Sequence, residues 1–241
     1  MRKDLIKQRF SKCLKTYDNN ASVQKKMAEI LVSLVEKKDI DAVLELGCGT
    51  GLLTKKLTQK IRFKTYTAID MVKECENYIR NISEKIEFIP DDIENFKSGK
   101  KYDLIISNAS VQWVEDMESF LKNIKNLLSD NGIFIFSTFG KNNFKELKIF
   151  IKTPLEYYSM EELTQKLSDF EIIKMEEDII SLEFNSPKEV LKHIKNTGVN
   201  ALSQTIWTKS DLINFEKNYP QTNQEKFSLT YNPVYIKTRA I

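Results

Sequence analysis

The sequence predicts an α/β protein: a doubly wound, mostly parallel sheet of seven strands, Rossmann-like, with a helical cap inserted between the last two strands. Three observations predict it. Short apolar runs ending at glycine or at a polar residue alternate with segments of helical periodicity from residue 42 to residue 139. Three of only seven glycines fall between 47 and 51, directly after the first such run, which marks a backbone requirement there. Beyond residue 140 the alternation gives way to an extended stretch, a helical one and a last extended one.

Residues 3–17 read as a basic amphipathic helix. In 21–37, Val23, Met27, Ile30, Leu31, Leu34 and Val35 recur at helical spacing. Residues 1–38 are therefore expected to form an N-terminal helical arm, and 39–241 one domain with a helical insertion at about 186–224. Ala42–Leu46 is a buried strand entering the glycines, and a helix begins at Leu52. Phe63–Ile69 is the second strand, followed by a helix over about 71–81 and a third strand, Ile86–Ile89. Tyr102–Ser107 is the fourth. Glu118–Leu128 carries Phe120, Leu121, Ile124, Leu127 and Leu128 on one helical face, and Asn131-Gly132 is expected to terminate that helix. Ile133–Phe139 is the fifth strand. Residues 160–168 form a short helix, Glu171–Phe184 one long extended stretch, 186–219 helix, and Phe227–Arg239 a final strand.

Composition narrows the function classes. The net charge of +3, from 37 basic and 34 acidic residues, is too mild to argue for a nucleic-acid partner. The first fifteen residues are more biased: Arg2, Lys3, Lys7, Arg9, Lys12 and Lys15 stand against Asp4. That is either a solvated helix face or a docking patch for an acidic partner. The three cysteines, Cys13, Cys48 and Cys75, are widely separated and form no C-x-x-C, so neither a disulfide framework nor a metal site is expected. No leader and no membrane-length apolar run is seen, and the expectation is a cytoplasmic monomer.

The chemistry centres on Glu45-Leu46-Gly47-Cys48-Gly49-Thr50-Gly51. A strand enters a glycine turn and a helix leaves it, an arrangement that brings a ligand close to the backbone and to free helix N–H groups. The dinucleotide fingerprint needs glycine where this chain has Leu52, which disfavours a nicotinamide enzyme. The acidic-x-Gly-x-Gly-x-Gly pattern instead resembles the first motif of the class I S-adenosylmethionine-dependent methyltransferases. That resemblance implies that Glu45 serves the cofactor's ammonium, directly or through water, and that N–H groups of the loop at Gly47, Gly49 and Gly51 serve its carboxylate. Asp70, 21 residues beyond Gly49 at the end of the second strand, can accept both ribose hydroxyls, and Met71 can cover the adenine face. In Pro90-Asp91-Asp92-Ile93-Glu94, the pair Asp92-Ile93 fits the adenine contact best, with Asp91 the alternative. Asn108 ends the fourth strand on the same edge. Product would be S-adenosylhomocysteine, and no metal takes part.

Further segments resemble the malonyl-acyl-carrier-protein O-methyltransferases of biotin synthesis. They are Arg9-Phe10-Ser11 with Tyr17-Asp18; Ser107-Asn108-Ala109-Ser110-Val111-Gln112-Trp113; Thr138-Phe139-Gly140 with Asn143-Phe144; Leu191 through Leu202; and Leu229-Thr230-Tyr231-Asn232-Pro233-Val234-Tyr235. Residues 145–170 match only loosely. The resemblance implies methyl esterification of the free carboxylate of a malonyl group on an acidic acyl carrier protein, with no nucleic acid and no membrane involved. A carboxylate is already ionised at neutral pH and needs no general base, which suits a chain whose one histidine is His193. Tyr17 is the candidate for holding the acceptor carboxylate, with Arg9, Gln112, Trp113, His193 and Asn200 as further substrate contacts. The competing readings are a methyltransferase for another small molecule or for RNA, and a non-catalytic cofactor-binding module.

Overall fold

The computed structural model describes residues 3–150, 155, 157–197 and 207–241. Two helices come first, α1 (Lys3–Asn20) and α2 (Ser22–Ser33). Then β1 (Asp39–Leu46), α3 (Leu52–Lys60), β2 (Arg62–Ile69), α4 (Cys75–Ile82), β3 (Ile86–Ile89), β4 (Tyr102–Ser107), α5 (Met117–Leu127) and β5 (Leu128–Phe139) alternate as the pattern requires. The second half adds α6 (Met160–Lys166), β6 (Phe170–Glu177), β7 (Ile180–Phe184), α7 (Pro187–Asn196), α8 (Lys209–Asn218), β8 (Phe227–Tyr231) and β9 (Pro233–Ala240). Seven strands form one sheet in the order β3-β2-β1-β4-β5-β9-β6. It is parallel from β3 to β5, and β9 runs antiparallel to both of its neighbours.

Strand alternation builds a core on each face of this sheet. Val43, Leu104, Ile106 and Ile135 point to the layer of α2 and α3, where Met27, Leu31, Leu53 and Leu57 are buried. Leu44, Ile105, Phe134 and Phe136 point to the other layer, where α5 contributes Phe120, Leu121, Ile124 and Leu127. Burying each such side chain contributes about 1.5–3 kcal/mol, which makes the central strands a rigid platform for whatever lies at their ends.

Four expectations need correction. Helix α4 starts at Cys75 rather than near residue 71, because Asp70 turns the chain by accepting the Val72 N–H at 2.9 Å. Helix α5 stops at Leu127, and Leu128 already pairs with Tyr102 across β4 and β5. Asn131-Gly132 therefore lies inside an irregular β5. A Cβ at Gly132 would stand 2.8 Å from the Tyr102 carbonyl oxygen, so this glycine permits close strand approach and does not cap a helix. The extended stretch from Glu171 divides into β6, in the main sheet, and β7, which pairs with β8 in a separate two-stranded sheet. The last extended stretch likewise breaks at Asn232, whose side-chain oxygen accepts the Asn142 N–H and whose amide donates to the Asp178 carbonyl. Between β6 and β9 the chain thus leaves the main sheet through β7, α7, α8 and β8.

Candidate active site

A cavity opens at the carboxyl ends of β1, β2 and β4, where an open α/β sheet presents its ligand crevice. Its floor is the glycine turn. Gly47, Gly49 and Gly51 all take left-handed backbone, with φ of 71°, 52° and 81°. A Cβ at Gly47 would fall 2.2 Å from the Ser110 hydroxyl oxygen, so the turn packs against the segment after β4 with no room for a side chain. Gly47 and Gly49 line the cavity; Gly51 does not, and it starts α3 instead.

The loop's N–H groups are largely engaged within the protein. Gly47 and Cys48 donate to the Ile69 carbonyl at 2.8 and 3.0 Å, Gly51 to the Cys48 carbonyl at 2.9 Å, and Gly49 to Asp70 Oδ2 at 2.9 Å. The loop donors expected for a carboxylate are therefore not free at these positions. Helix α3, which no side chain caps, begins immediately after them with Leu52 and Leu53 on the cavity wall.

Glu45, at the end of β1, is buried. Its Oε2 accepts from the Thr54 hydroxyl at 2.7 Å and from the Tyr66 hydroxyl at 2.5 Å, while Oε1 has no partner. Burial pushes this carboxyl up to about 7 against the pull of those two donors. A buried oxygen with an unmet demand for a donor, on a cavity wall, suits an ammonium group. Asp70 is held between the Gly49 and Val72 N–H groups, and burial raises it despite them. Met71 borders the cavity and packs with Phe10, Leu14 and Val72.

Of the two neighbouring aspartates, Asp92 lines the cavity with Ile93, and Asp91 accepts the Asp92 N–H. Asp92 is itself tied. Lys3, at the start of α1, places its ammonium 2.6 Å from Asp92 and 2.5 Å from Glu94. Asp18, further along the same helix, accepts from the Thr50 hydroxyl at 2.6 Å. α1 is thereby strapped across the glycine turn, with Ile6, Phe10 and Tyr17 facing the cavity.

The candidates for acceptor contacts separate into groups. Tyr17, Gln112 and Trp113 line the cavity, and Gln112 has a buried, unpartnered Oε1 while its amide donates to the Ala109 carbonyl. Asn108 also lines it, but its side chain bridges the Gln24 carbonyl and the Ser137 hydroxyl. Arg9 is not among the residues that line the cavity. His193 stands one layer behind, its Nε2 2.8 Å from the Tyr231 hydroxyl. Asn200 lies outside the described residues.

The sequence matches the methyltransferase domain family over residues 17–203. It is 39% identical over 235 residues to the malonyl-acyl-carrier-protein O-methyltransferase of Calditerrivibrio nitroreducens, covering 95% of this chain and 94% of that one. The enzyme of the same name from Bacteroides thetaiotaomicron is 37% identical, with 98% and 97% covered. The chain belongs to the malonyl-acyl-carrier-protein O-methyltransferase family. It is an S-adenosylmethionine-dependent methyltransferase by that membership. Among solved structures, the YcgJ protein from Bacillus subtilis matches with a TM-score of 0.67 at 12% identity, over 89% of this chain and 98% of that one. The N-methyltransferase NodS from Bradyrhizobium japonicum, solved with S-adenosyl-L-homocysteine, matches with a TM-score of 0.55 at 14% identity, over 93% and 98%. At such identities the likeness is one of fold.

Within this methyltransferase the cavity contains residues that sequence reasoning did not single out as contacts. Tyr157 and Tyr231 join Tyr17, and both Tyr17 and Tyr157 lie close enough to Tyr231 that their ionisation would oppose its own. Burial pushes all three phenols well up, so they remain protonated donors at neutral pH. The Asn143 side chain lies beside Tyr157. Among the described residues lining the cavity there is no lysine, arginine or histidine, and Glu45, Asp70 and Asp92 are its ionisable carboxyls. Asn143 and Tyr231 sit in segments that carry the family resemblance, but nothing in their spacing marks them as facing a cavity; Tyr157 falls where the resemblance is loose.

Proposed function

We propose that this protein methylates the free carboxylate of a malonyl group carried on an acyl carrier protein, giving the methyl ester. The observation that carries the reading is a cavity that unites two unlike sets of side chains. One is carboxylates suited to a cationic, ribose-bearing cofactor, and the other is three protonated phenols, with no lysine, arginine or histidine among the described residues that line the cavity.

S-adenosylmethionine, when bound, supplies an electrophilic methyl group. Glu45 Oε1 would hold its ammonium, Asp70 its ribose, Asp92 and Ile93 its adenine, and the first turn of α3 its carboxylate. Each carboxylate oxygen of Asp70 and Asp92 accepts from a backbone N–H or from Lys3, and Asp70 also takes the Cys75 thiol, which leaves lone-pair capacity on both groups. Met71 and Phe10 cover the site on the side of α1 and exclude water.

The acceptor needs no base, because a malonyl carboxylate is ionised at pH 7. The residues around it have to bind an anion without quenching it. Esterification removes the negative charge, so a lysine or arginine clamp would stabilise the starting carboxylate more than the transition state. Phenol donors from Tyr17, Tyr157 and Tyr231 bind more gently and lose less as the charge disappears. A hydrogen bond to a charged group contributes about 1.5–3 kcal/mol, enough to orient the acceptor.

The outer surface fits a negatively charged carrier. Lys7, Lys12 and Lys15 on α1 and Lys192 and Lys195 on α7 are exposed, and Asn196 of α7 bonds to Asn20 of α1, so the two helices are neighbours. Of the segment from β7 to β8, Thr197 and Tyr231 line the cavity. Among the described residues, no helix is long and apolar enough to cross a membrane. The deciding experiment is mass spectrometry of a reaction with S-adenosylmethionine and malonyl-loaded carrier protein, with malonyl-coenzyme A and acetyl-loaded carrier in parallel. A gain of one methyl on the malonyl carrier and none on the acetyl carrier is expected. No gain on any malonyl thioester, from protein that binds the cofactor, overturns the acceptor assignment.

A further inference from the structure

His193 does not touch the cavity, yet it holds one of the cavity's donors. Tyr231 is fully buried, with Phe139 and Phe144 against its ring and its hydroxyl 2.8 Å from His193 Nε2. The imidazole ring stands at 90° to the phenol ring. On its other side Phe184, from β7, packs against the imidazole at 5.3 Å between centroids. The contact therefore links α7 to the last residue of β8 within a packed aromatic group, and burial lowers the histidine toward its neutral form.

A neutral imidazole has one donor nitrogen and one acceptor nitrogen, and a phenol has one hydrogen. If Nε2 accepts, the single Tyr231 hydrogen is used on the histidine and the oxygen shows the cavity lone pairs alone. An anion there would be repelled. If Nε2 carries the hydrogen and donates, the Tyr231 hydrogen is free to point into the cavity. The Thr197 hydroxyl also adjoins Tyr231 on the cavity wall, but its one hydrogen is shared with the carbonyls of His193 and Ile194, at 3.1 and 3.2 Å.

We propose that His193 is a positioning residue that donates from Nε2 to the Tyr231 oxygen and so fixes the Tyr231 hydroxyl as a donor to the acceptor carboxylate. This rests on the functional reading above, in which the phenols bind the carboxylate. His193 acts through Tyr231 and makes no contact with the reacting atoms. The same relation gives the α7 insertion a specificity role: a shift of α7 would release the phenol's direction without moving the cofactor site.

The test is a double-mutant cycle read by kcat/KM for the malonyl thioester and by the Kd for S-adenosylmethionine. His193→Phe should lower kcat/KM about tenfold or more and leave the cofactor Kd unchanged. His193→Gln, whose side-chain amide reaches the Nε2 position with a donor, should recover most of the loss. His193→Asn, whose amide falls short of that position, should not, and this pair carries the test even if the phenylalanine variant does not fold. In a Tyr231→Phe background, His193→Phe should add no further loss. Additive losses, a glutamine variant as impaired as the asparagine one, or a cofactor Kd that moves in parallel overturns the positioning role while leaving the methyltransferase reading intact. An unsubstituted protein that binds cofactor but transfers no methyl to any malonyl thioester overturns the functional reading, and this inference falls with it.

Discussion

Gly49 donates its backbone N–H to Asp70 Oδ2 at 2.9 Å, which joins the glycine turn after β1 to the end of β2 across 21 residues. The other oxygen of Asp70 takes the Val72 N–H at 2.9 Å. One carboxylate thus shapes both the cofactor floor and the turn into α4. Asp70→Ala should weaken S-adenosylmethionine binding by roughly 2 kcal/mol, about 30-fold, by calorimetry. Asp70→Asn should also lower the melting temperature of the cofactor-free protein. Its amide group must face one of two backbone donors, at a cost of about 1–3 kcal/mol. Unchanged binding in both variants would remove Asp70 from the ribose role.

Glu45 couples cofactor binding to pH. Burial holds its carboxyl at about 7, above the ordinary value of 4.5. A raised folded value means the native state binds the proton more tightly than the unfolded chain. The cofactor-free protein therefore loses stability as pH rises from about 4.5 to about 7, and the loss is complete above that range. Glu45→Gln should relieve it, so the gain in melting temperature over the unsubstituted protein should be larger at pH 8 than at pH 5. The same substitution should weaken cofactor binding at pH 8, because a neutral amide cannot match a carboxylate for an ammonium. In the unsubstituted protein, cofactor affinity should fall as pH drops below 7. A flat affinity between pH 6 and pH 8 would place the ammonium elsewhere.

Much of this site is legible in the chain because glycines and acids at strand ends are local signals. Gly47, Gly49, Asp70 and Asp92 each follow a short apolar run, and the sheet order then gathers those run ends at one edge. Asn131-Gly132 misleads for a related reason. The pair has the composition of a helix end, and only the proximity of the Tyr102 carbonyl, a tertiary fact, reveals a close approach of strands. The set of acceptor contacts is less legible. Tyr17, Tyr157 and Tyr231 come from a helix, a loop and a strand far apart in sequence, and their convergence depends on how α1 and the segment after β5 fold over the turn. Lys3 reads as one charge in a basic run, yet it is the strap from α1 to Asp92 and Glu94.

Tyr17→Phe separates the two sets of side chains in the cavity. The variant keeps the ring, and with it the edge-on contact with Phe10 at 5.1 Å between centroids, and removes only the hydroxyl. It should lower kcat/KM for the malonyl thioester by about tenfold to a hundredfold, as loss of one hydrogen bond to a charged group implies. The cofactor Kd should change less than threefold, about 0.6 kcal/mol. A parallel loss of cofactor affinity would make Tyr17 a residue of the α1 strap and not an acceptor contact.

The basic faces of α1 and α7 should act on encounter more than on chemistry. Lys12 and Lys15 are exposed on the outer side of the helix whose inner side carries Phe10 and Tyr17. Charges so placed steer an acidic partner over distances near the Debye length, about 8–10 Å at physiological salt, and their effect weakens as salt screens them. Reversing both, Lys12→Glu with Lys15→Glu, should raise KM for malonyl-loaded carrier protein severalfold at low salt, and the difference should shrink as sodium chloride is raised to 0.5 M. Malonyl-pantetheine, which lacks the protein, should show the same KM with either enzyme. An equal rise for both substrates would mean that the substitutions disturb α1 itself, and no change for either would move carrier docking away from this helix.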